Sequence, residues 1–121
     1  LVITADEAPP PVEIDLTIDP TGSVASKTGT VEIRGTLTCS APTFAEIGVF
    51  VEQRKGRAFI RGEGFTFIEC DGPTSFSIPV TGSNGLFTSG KVSVEAFSFA
   101  CDQFGCTFDD AFADVKLTGK R

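Results

Sequence analysis

The sequence contains no histidine, and it also lacks methionine, tryptophan and tyrosine. Histidine is the commonest general base and the commonest metal ligand among protein side chains. Its absence excludes a Ser-His-Asp or Cys-His catalytic site and a metal site of two histidines and one carboxylate. We therefore expect no enzymatic activity, no cofactor and no bound metal.

Long apolar runs and an excess of basic residues are also missing. No stretch approaches the roughly 20 apolar residues of a membrane-spanning helix. The net charge of −6 disfavours contact with nucleic-acid phosphates and anionic membrane surfaces, so we expect neither nucleic-acid binding nor membrane insertion. The start, LVITADEAPPPVE, lacks the basic region of a signal peptide and is interpreted as a trimmed mature end or a fragment boundary.

The 121 residues that are present fit one β-rich domain. Residues 1–11 are predicted to be a proline-rich linker, because three consecutive prolines cannot join a sheet interior. Residues 12–121 are predicted to form a single domain. Short alternating segments separated by Gly, Pro, Asn and Ser are typical of an all-β sandwich or barrel.

The alternation of apolar and polar residues predicts about seven strands. They cover residues 12–19, 30–39, 44–53, 58–70, 74–80, 91–101 and 110–119. The fourth segment is predicted either as two short strands or as one strand with a glycine bulge at GEG (62–64). PTGS (20–23) is predicted as a turn, and Pro79 indicates that its strand lies at a sheet edge.

Four cysteines in a small β-rich chain predict two disulfides and an oxidising, extracytoplasmic compartment. Cys39 and Cys70 end predicted strands on the side of the apolar residues, so the preferred pairing is Cys39–Cys70 with Cys101–Cys106. The alternative pairs Cys39 with Cys101 and Cys70 with Cys106, since a separation of 62 is similar to the disulfide between packed sheets in immunoglobulin domains. A zinc site usually needs two closely spaced pairs, and the chain has one.

The segment CDQFGC (101–106) is interpreted as a staple rather than a redox site. Redox pairs usually have two intervening residues at a helix start, which favours the thiolate. Here four residues intervene, and the acidic neighbours Asp102, Asp109 and Asp110 disfavour a thiolate. Together with Asp114 these aspartates lack the spacing of a calcium loop and are interpreted as a solvated rim.

Two pairs of carboxylates are the candidates for glycoside hydrolysis: Asp15 with Asp19, and Glu63 with Glu69. That chemistry needs a cleft and a fixed carboxylate separation, and nothing in the sequence predicts either. The basic segment RKGR (54–57) is predicted to be a solvated hairpin tip, because it is too small to bind a polyanion in so acidic a chain.

The most unusual feature is the placement of the phenylalanines. If Ile47 and Val94 face the core, the alternation of inward and outward side chains places Phe44 on the outer side of the sheet. The same alternation places rings of three predicted strands outward, and further rings lie in or beside the disulfide loop. Exposed apolar patches mark binding sites or interfaces. The predicted binding residues are Phe50, Phe97, Phe99, Phe104, Phe108 and Phe112. Two alternatives remain open, since a bulge would shift the alternation and bury some rings, and the linker would cover others.

Three stretches resemble a group of small secreted bacterial domains of unknown function, mostly actinobacterial. They are IDPTGSVASKTGTVEIRGTLTC, ECDGPTSFSIPV and GLFTSGKVSVEAF. The group has a VDPTG opening followed by a glycine and a cysteine, and a CDG turn. The resemblance covers residues 14 to 99 and leaves CDQFGC outside. It implies the Cys39–Cys70 pairing and no activity.

The chain also resembles the enediyne chromoprotein apoproteins, which are secreted, acidic, immunoglobulin-like sandwiches of similar length with two disulfides. One of their disulfides closes a late loop of four intervening residues, as Cys101–Cys106 would, and their ligand cleft uses phenylalanines. Their other disulfide closes a short loop, whereas 30 residues lie between Cys39 and Cys70. The resemblance therefore concerns the fold and does not transfer function.

From these patterns and resemblances we predict an immunoglobulin-like antiparallel β-sandwich of about seven strands, with Greek-key connections and two disulfides. The predicted function is a secreted or cell-surface module for binding or adhesion, without catalysis. Its contact surface is the phenylalanine-rich outer face of the C-terminal sheet, and its partner is a protein or a second copy of the chain. The alternative is a carrier that holds a small apolar ligand on the same face.

Overall fold

The computed structural model describes residues 12–102 and 105–120, which form β-strands and no helix. The strands are β1 (Ile14–Ile18), β2 (Thr21–Ala25), β3 (Val31–Lys55), β4 (Ala58–Gly82), β5 (Gly90–Asp102) and β6 (Gly105–Lys120). The predicted all-β class is confirmed. In this described part there is no helix of the length and apolarity needed to span a membrane.

Six strands replace the expected seven, because two of them are each about as long as two predicted strands. β3 runs on through residues 40–43 and β4 through residues 71–73, where breaks were predicted. The two strands form one long hairpin that shifts register between Cys39 and Thr43. A bulge at this point bends β3 instead of ending it. The turn predicted at residues 20–23 is also wrong, since most of it belongs to β2.

The glycine bulge predicted in β4 is absent from the described pairing, which is continuous there. Gly62 and Gly64 instead allow the two halves of β4 to approach each other closely. A Cβ atom on Gly62 would lie 2.6 Å from the carbonyl oxygen of Thr81. A Cβ atom on Gly64 would lie 2.7 Å from the carbonyl oxygen of Pro79. The absence of side chains therefore lets one half of the strand pack directly on the other.

The strands pair around a closed circuit. One edge of β3 pairs with β4, and its other edge pairs in turn with β2, β1 and β5. β5 pairs with β6, and β6 pairs with β2, which returns to β3. The β2–β6 pair is parallel whereas the other pairs are antiparallel, so the expectation of a wholly antiparallel arrangement is wrong at this pair.

One hydrophobic core lies inside the circuit. The inward alternation predicted for β3, the second half of β4 and β5 is confirmed, and β6 follows it with Val115 and Leu117 buried. Phe76 and Phe87 are also buried in this core. Because successive side chains on a strand point to opposite faces, the buried residues fix which of their neighbours face outward.

The two disulfides have the preferred pairing. Cys39–Cys70 is buried and joins β3 to β4 beside the bend, with the two Cα atoms 6.0 Å apart. Cys101 and Cys106 lie directly opposite each other in the β5–β6 hairpin and form an exposed disulfide. The alternative pairing of Cys39 with Cys101 is therefore wrong.

A buried glutamine holds the segment between β4 and β5 against the core. The side-chain nitrogen of Gln53 donates to the carbonyl oxygen of Thr88 over 2.8 Å. Its side-chain oxygen accepts from the Thr88 backbone N–H over 2.9 Å. This pair of bonds fixes the segment that carries the buried ring of Phe87.

We expect Gln53→Leu to lower the free energy of unfolding by about 2–3 kcal/mol, because both backbone groups of Thr88 lose their partner. Urea unfolding followed by circular dichroism measures the loss. Thr88→Ala is the matched control, since it removes only the hydroxyl at 3.4 Å and keeps both backbone bonds. Equal losses for the two variants would contradict the assigned role of Gln53.

Candidate binding face

Four neighbouring strand segments share one outer surface: residues 58–70 of β4, residues 43–55 of β3, β5 and β6. Their inward side chains contribute to the core, so the intervening side chains point outward. We call this surface the phenylalanine face. It carries nine of the 12 phenylalanines: Phe44, Phe50, Phe59, Phe65, Phe67, Phe97, Phe99, Phe108 and Phe112.

Phenylalanines and carboxylates are interspersed across the strands of this face. One row, read from β4 to β6, consists of Glu63, Phe50, Glu95 and Phe112. A second row, nearer the exposed disulfide, consists of Phe67, Glu46, Phe99 and Phe108. The face is therefore a mixed aromatic and acidic surface rather than a purely apolar one.

Gly48 allows one ring of the phenylalanine face to lie close to the sheet. A Cβ atom at this position would lie 2.2 Å from Cζ of Phe97, so the ring of Phe97 lies over the bare backbone of β3. The Phe97 ring also packs beside Phe50, with centroids 6.0 Å apart. Phe97 is 38 % exposed, whereas Phe112 on the neighbouring strand is 75 % exposed. Some rings are thus held against the sheet and others extend into solvent.

The exposed disulfide borders one end of the face. Next to Cys101 and Cys106 in the same hairpin, Phe99 pairs with Phe108, and their ring centroids are 6.0 Å apart. The disulfide therefore fixes the hairpin that carries this aromatic pair, in agreement with its interpretation as a staple. Phe104, a predicted binding residue, lies outside the described residues.

The basic side chains of the face, among the residues described, are confined to the opposite end. They are Arg54, Arg61, Lys91 and Lys116. Arg61 pairs with Glu52 over 2.8 Å, and Lys91 pairs with Asp114 over 3.5 Å. The guanidinium groups of both arginines lie over the ring of Phe59, at 6.0 and 5.6 Å from its centroid. The face is therefore polarised along the strands, with a basic end and an acidic, aromatic remainder.

A groove of about 700 Å³ crosses the face between these two regions. Rings and carboxylates both line it. The aromatic residues are Phe50 and Phe112, and the charged residues are Glu52, Arg61, Glu63, Glu95 and Asp114. The groove can therefore hold an apolar group next to a cationic one.

Most of the predicted binding residues come together on this face, namely Phe50, Phe97, Phe99, Phe108 and Phe112. The alternative that a bulge buries these rings is wrong for the described residues. The alternative that the linker covers some of them concerns residues 1–11, which lie outside the described residues. The sequence analysis missed Phe59, Phe65 and Phe67 on β4. Treating residues 58–70 as one uninterrupted strand, with Ile60 and Cys70 inward, would have placed these three rings outward.

In each pair considered for glycoside hydrolysis, the two carboxylates lie too far from each other for that chemistry. Glu63 and Glu69 are six residues apart on one extended strand, which separates them by roughly 20 Å. Asp15 and Asp19 are four residues apart, or about 13 Å in extended chain. Glycosidases place their two carboxyl groups about 5–9.5 Å apart.

The acidic residues near the exposed disulfide do not form one solvated rim. Asp109 is half-buried, and its Oδ2 accepts a hydrogen bond from the Leu16 backbone N–H over 2.7 Å, which links β6 to β1. Asp110 and Asp114 lie on the phenylalanine face. Within residues 12–102 and 105–120, no three cysteine or carboxylate side chains form a group that could hold a metal ion.

No protein-family model and no curated protein matches the chain. Its function is therefore inferred from the composition and geometry of the phenylalanine face.

Proposed function

We propose that the chain is a non-catalytic binding module that acts outside the cytoplasm and contacts a protein partner through the phenylalanine face. The observation that carries the proposal is that nine phenylalanines lie on one four-stranded surface, eight of them exposed and Phe99 half-buried. Exposed apolar side chains that gather on one surface mark binding sites or interfaces.

Two further features support this proposal. The strands that carry the rings are hydrogen-bonded to each other and are closed at one end by a disulfide, so the surface is ordered before binding. An ordered surface loses less conformational entropy on association. The two disulfides support a secreted or cell-surface location, because such bonds persist in oxidising compartments.

We also propose that the fold is an immunoglobulin-like Greek-key sandwich in which each long strand contributes to both layers. In one proposed layer the neighbours are β1, the first half of β3 and the second half of β4. In the other they are the first half of β4, the second half of β3, β5 and β6. These neighbour orders correspond to those of the two layers of an immunoglobulin sandwich.

We expect the native protein to bind Nile red, a neutral apolar dye, on this face. Phe50→Ser combined with Phe112→Ser should weaken binding by about tenfold or more, because each exposed ring contributes apolar contact area. Leu86→Ser is the matched control, since Leu86 is exposed but lies outside the face. Unchanged affinity in the double variant, or an equal loss in the control, would refute the proposal.

The groove supports a second candidate function, a carrier for a small apolar ligand. Its volume of about 700 Å³ lies within the range of sites for drug-sized ligands. Native mass spectrometry of the unreduced protein distinguishes the two functions. A small molecule that is retained by the native chain and lost from the Phe112→Ser variant favours the carrier.

A further inference from the structure

We infer, on the basis of the proposed function, that the partner is a protein segment with lysine or arginine side chains among apolar ones. The phenylalanine face offers carboxylates as well as rings. Five carboxylates lie away from its basic end: Glu46, Glu63, Glu69, Glu95 and Asp110. In the part of the chain that the structure describes, none of these five forms an ion pair.

A partner that covers the rings also removes water from the carboxylates between them. Glu63 and Glu95 flank Phe50 in one row, and Glu46 lies between two rings in another. An ionised carboxylate that is buried without a cation or hydrogen-bond donor costs a large amount of free energy. A wholly apolar partner leaves that cost uncompensated, whereas a partner with interspersed cations pairs each carboxylate.

The net negative charge of the protein disfavours the other candidate partners of the phenylalanine face. A second copy offers few cations to these carboxylates, since Arg61 and Lys91 of its basic end already pair with Glu52 and Asp114, and each chain carries a net charge of −6. Anionic membrane surfaces and nucleic acids meet the same repulsion. A cationic, partly apolar segment of another protein is the occupant that complements both the rings and the carboxylates.

At the basic end of the face, one cationic side chain already contacts both a ring and a carboxylate of the same chain. The guanidinium of Arg61 lies 5.6 Å from the ring centroid of Phe59, and its Nε is 2.8 Å from Oε2 of Glu52. One cation thus contacts a ring and a carboxylate at the same time, and both contacts are favourable. Among the described residues, the acidic part of the face has the same combination of rings and carboxylates without a cation between them.

The spacing of the carboxylates matches an amphipathic helix that crosses the strands. Glu63 and Glu95 are two strand spacings apart, or about 10 Å, with Phe50 between them. Residues i and i+7 of a helix are separated by about 10.5 Å along its axis. Lysines at positions i and i+7 would reach the two carboxylates. A leucine about one turn from each lysine would lie between them and contact the ring of Phe50.

The probe is therefore an amphipathic helical peptide of leucine and lysine, about 18 residues or five turns long. A second peptide with glutamate at every lysine position is its control. We expect the lysine peptide to bind the native protein at least about tenfold more tightly by calorimetry, and to bind more weakly as salt is added. Equal affinity for the two peptides would overturn the inference.

Protein variants test whether the face is the site. Glu63→Gln combined with Glu95→Gln should weaken binding of the lysine peptide by about tenfold, because two cation–carboxylate contacts are lost. Glu13→Gln combined with Asp15→Asn removes the same charge from exposed positions outside the face and should leave the affinity unchanged. An equal loss in both double variants would overturn the inference, since net charge alone would then explain the binding.

The dye and the peptides separate failure of the inference from failure of the proposed function. If the Phe50→Ser/Phe112→Ser variant loses Nile red but the two peptides bind alike, the face binds apolar groups and the cationic partner is wrong. If this variant keeps full dye binding, the proposed function fails as well. A concentration-dependent dimer in sedimentation equilibrium that Phe112→Ser abolishes would identify a second copy as the occupant and overturn the inference.

Discussion

Replacement of both Cys39 and Cys70 by alanine is expected to lower the free energy of unfolding by about 3–4 kcal/mol. The disulfide closes a loop of sequence separation 31 and restricts the unfolded chain. It also joins the two long strands beside the register shift where β3 bends, and both of its cysteines are buried. Urea unfolding of the double variant measures the loss.

The exposed disulfide provides the control. Cys101→Ser combined with Cys106→Ser opens a ring of sequence separation 5, so the expected loss is only about 2 kcal/mol. The four-stranded surface and its core should remain folded in this variant. A larger loss from the exposed pair than from the buried pair would contradict the assigned roles of the two disulfides.

Phe87→Ala is expected to lower the free energy of unfolding by about 3–5 kcal/mol, because it leaves a cavity in the core. Phe87 is 1 % exposed and is fixed by the contact between Gln53 and Thr88. Phe112→Ser is the matched comparison, since its ring is 75 % exposed on the phenylalanine face. We expect it to change stability by no more than about 0.5 kcal/mol.

Comparison of the stability of these two variants shows whether the phenylalanine face is a recognition surface or a second core. If Phe112→Ser destabilised the protein as much as Phe87→Ala, the ring of Phe112 would be a structural element. Thermal and denaturant unfolding of both variants in the same buffer provide the comparison.

The side on which each residue lies was predictable wherever a strand was predicted without an internal break or bulge. The two-residue period is local, so Val31, Ile47 and Val94 could be placed inward from their neighbours alone. The outward direction of Phe50 and Phe112 followed from the same alternation. This local rule accounts for the part of the phenylalanine face that lies on β3, β5 and β6.

The remaining features depend on contacts between residues far apart in the chain. β3 stays extended through Pro42 because β4 pairs with it on both sides of the bulge, although a break between two strands was predicted there. The parallel pairing of β2 with β6 joins segments near opposite ends of the described chain. The hydrogen bonds between Gln53 and Thr88, and from the Leu16 backbone N–H to Asp109, likewise have no local pattern in the sequence.

The measurement that tests the central claim most directly is the exposure of individual phenylalanine rings to a soluble paramagnetic agent, by NMR on ring-labelled protein. In the free protein we expect strong relaxation of the Phe108 and Phe112 rings and protection of the Phe76 and Phe87 rings. Addition of the lysine peptide should then protect Phe50 and Phe112. Protection of Phe108 and Phe112 in the free protein, or no new protection with the peptide, would contradict the account of this face as a recognition surface.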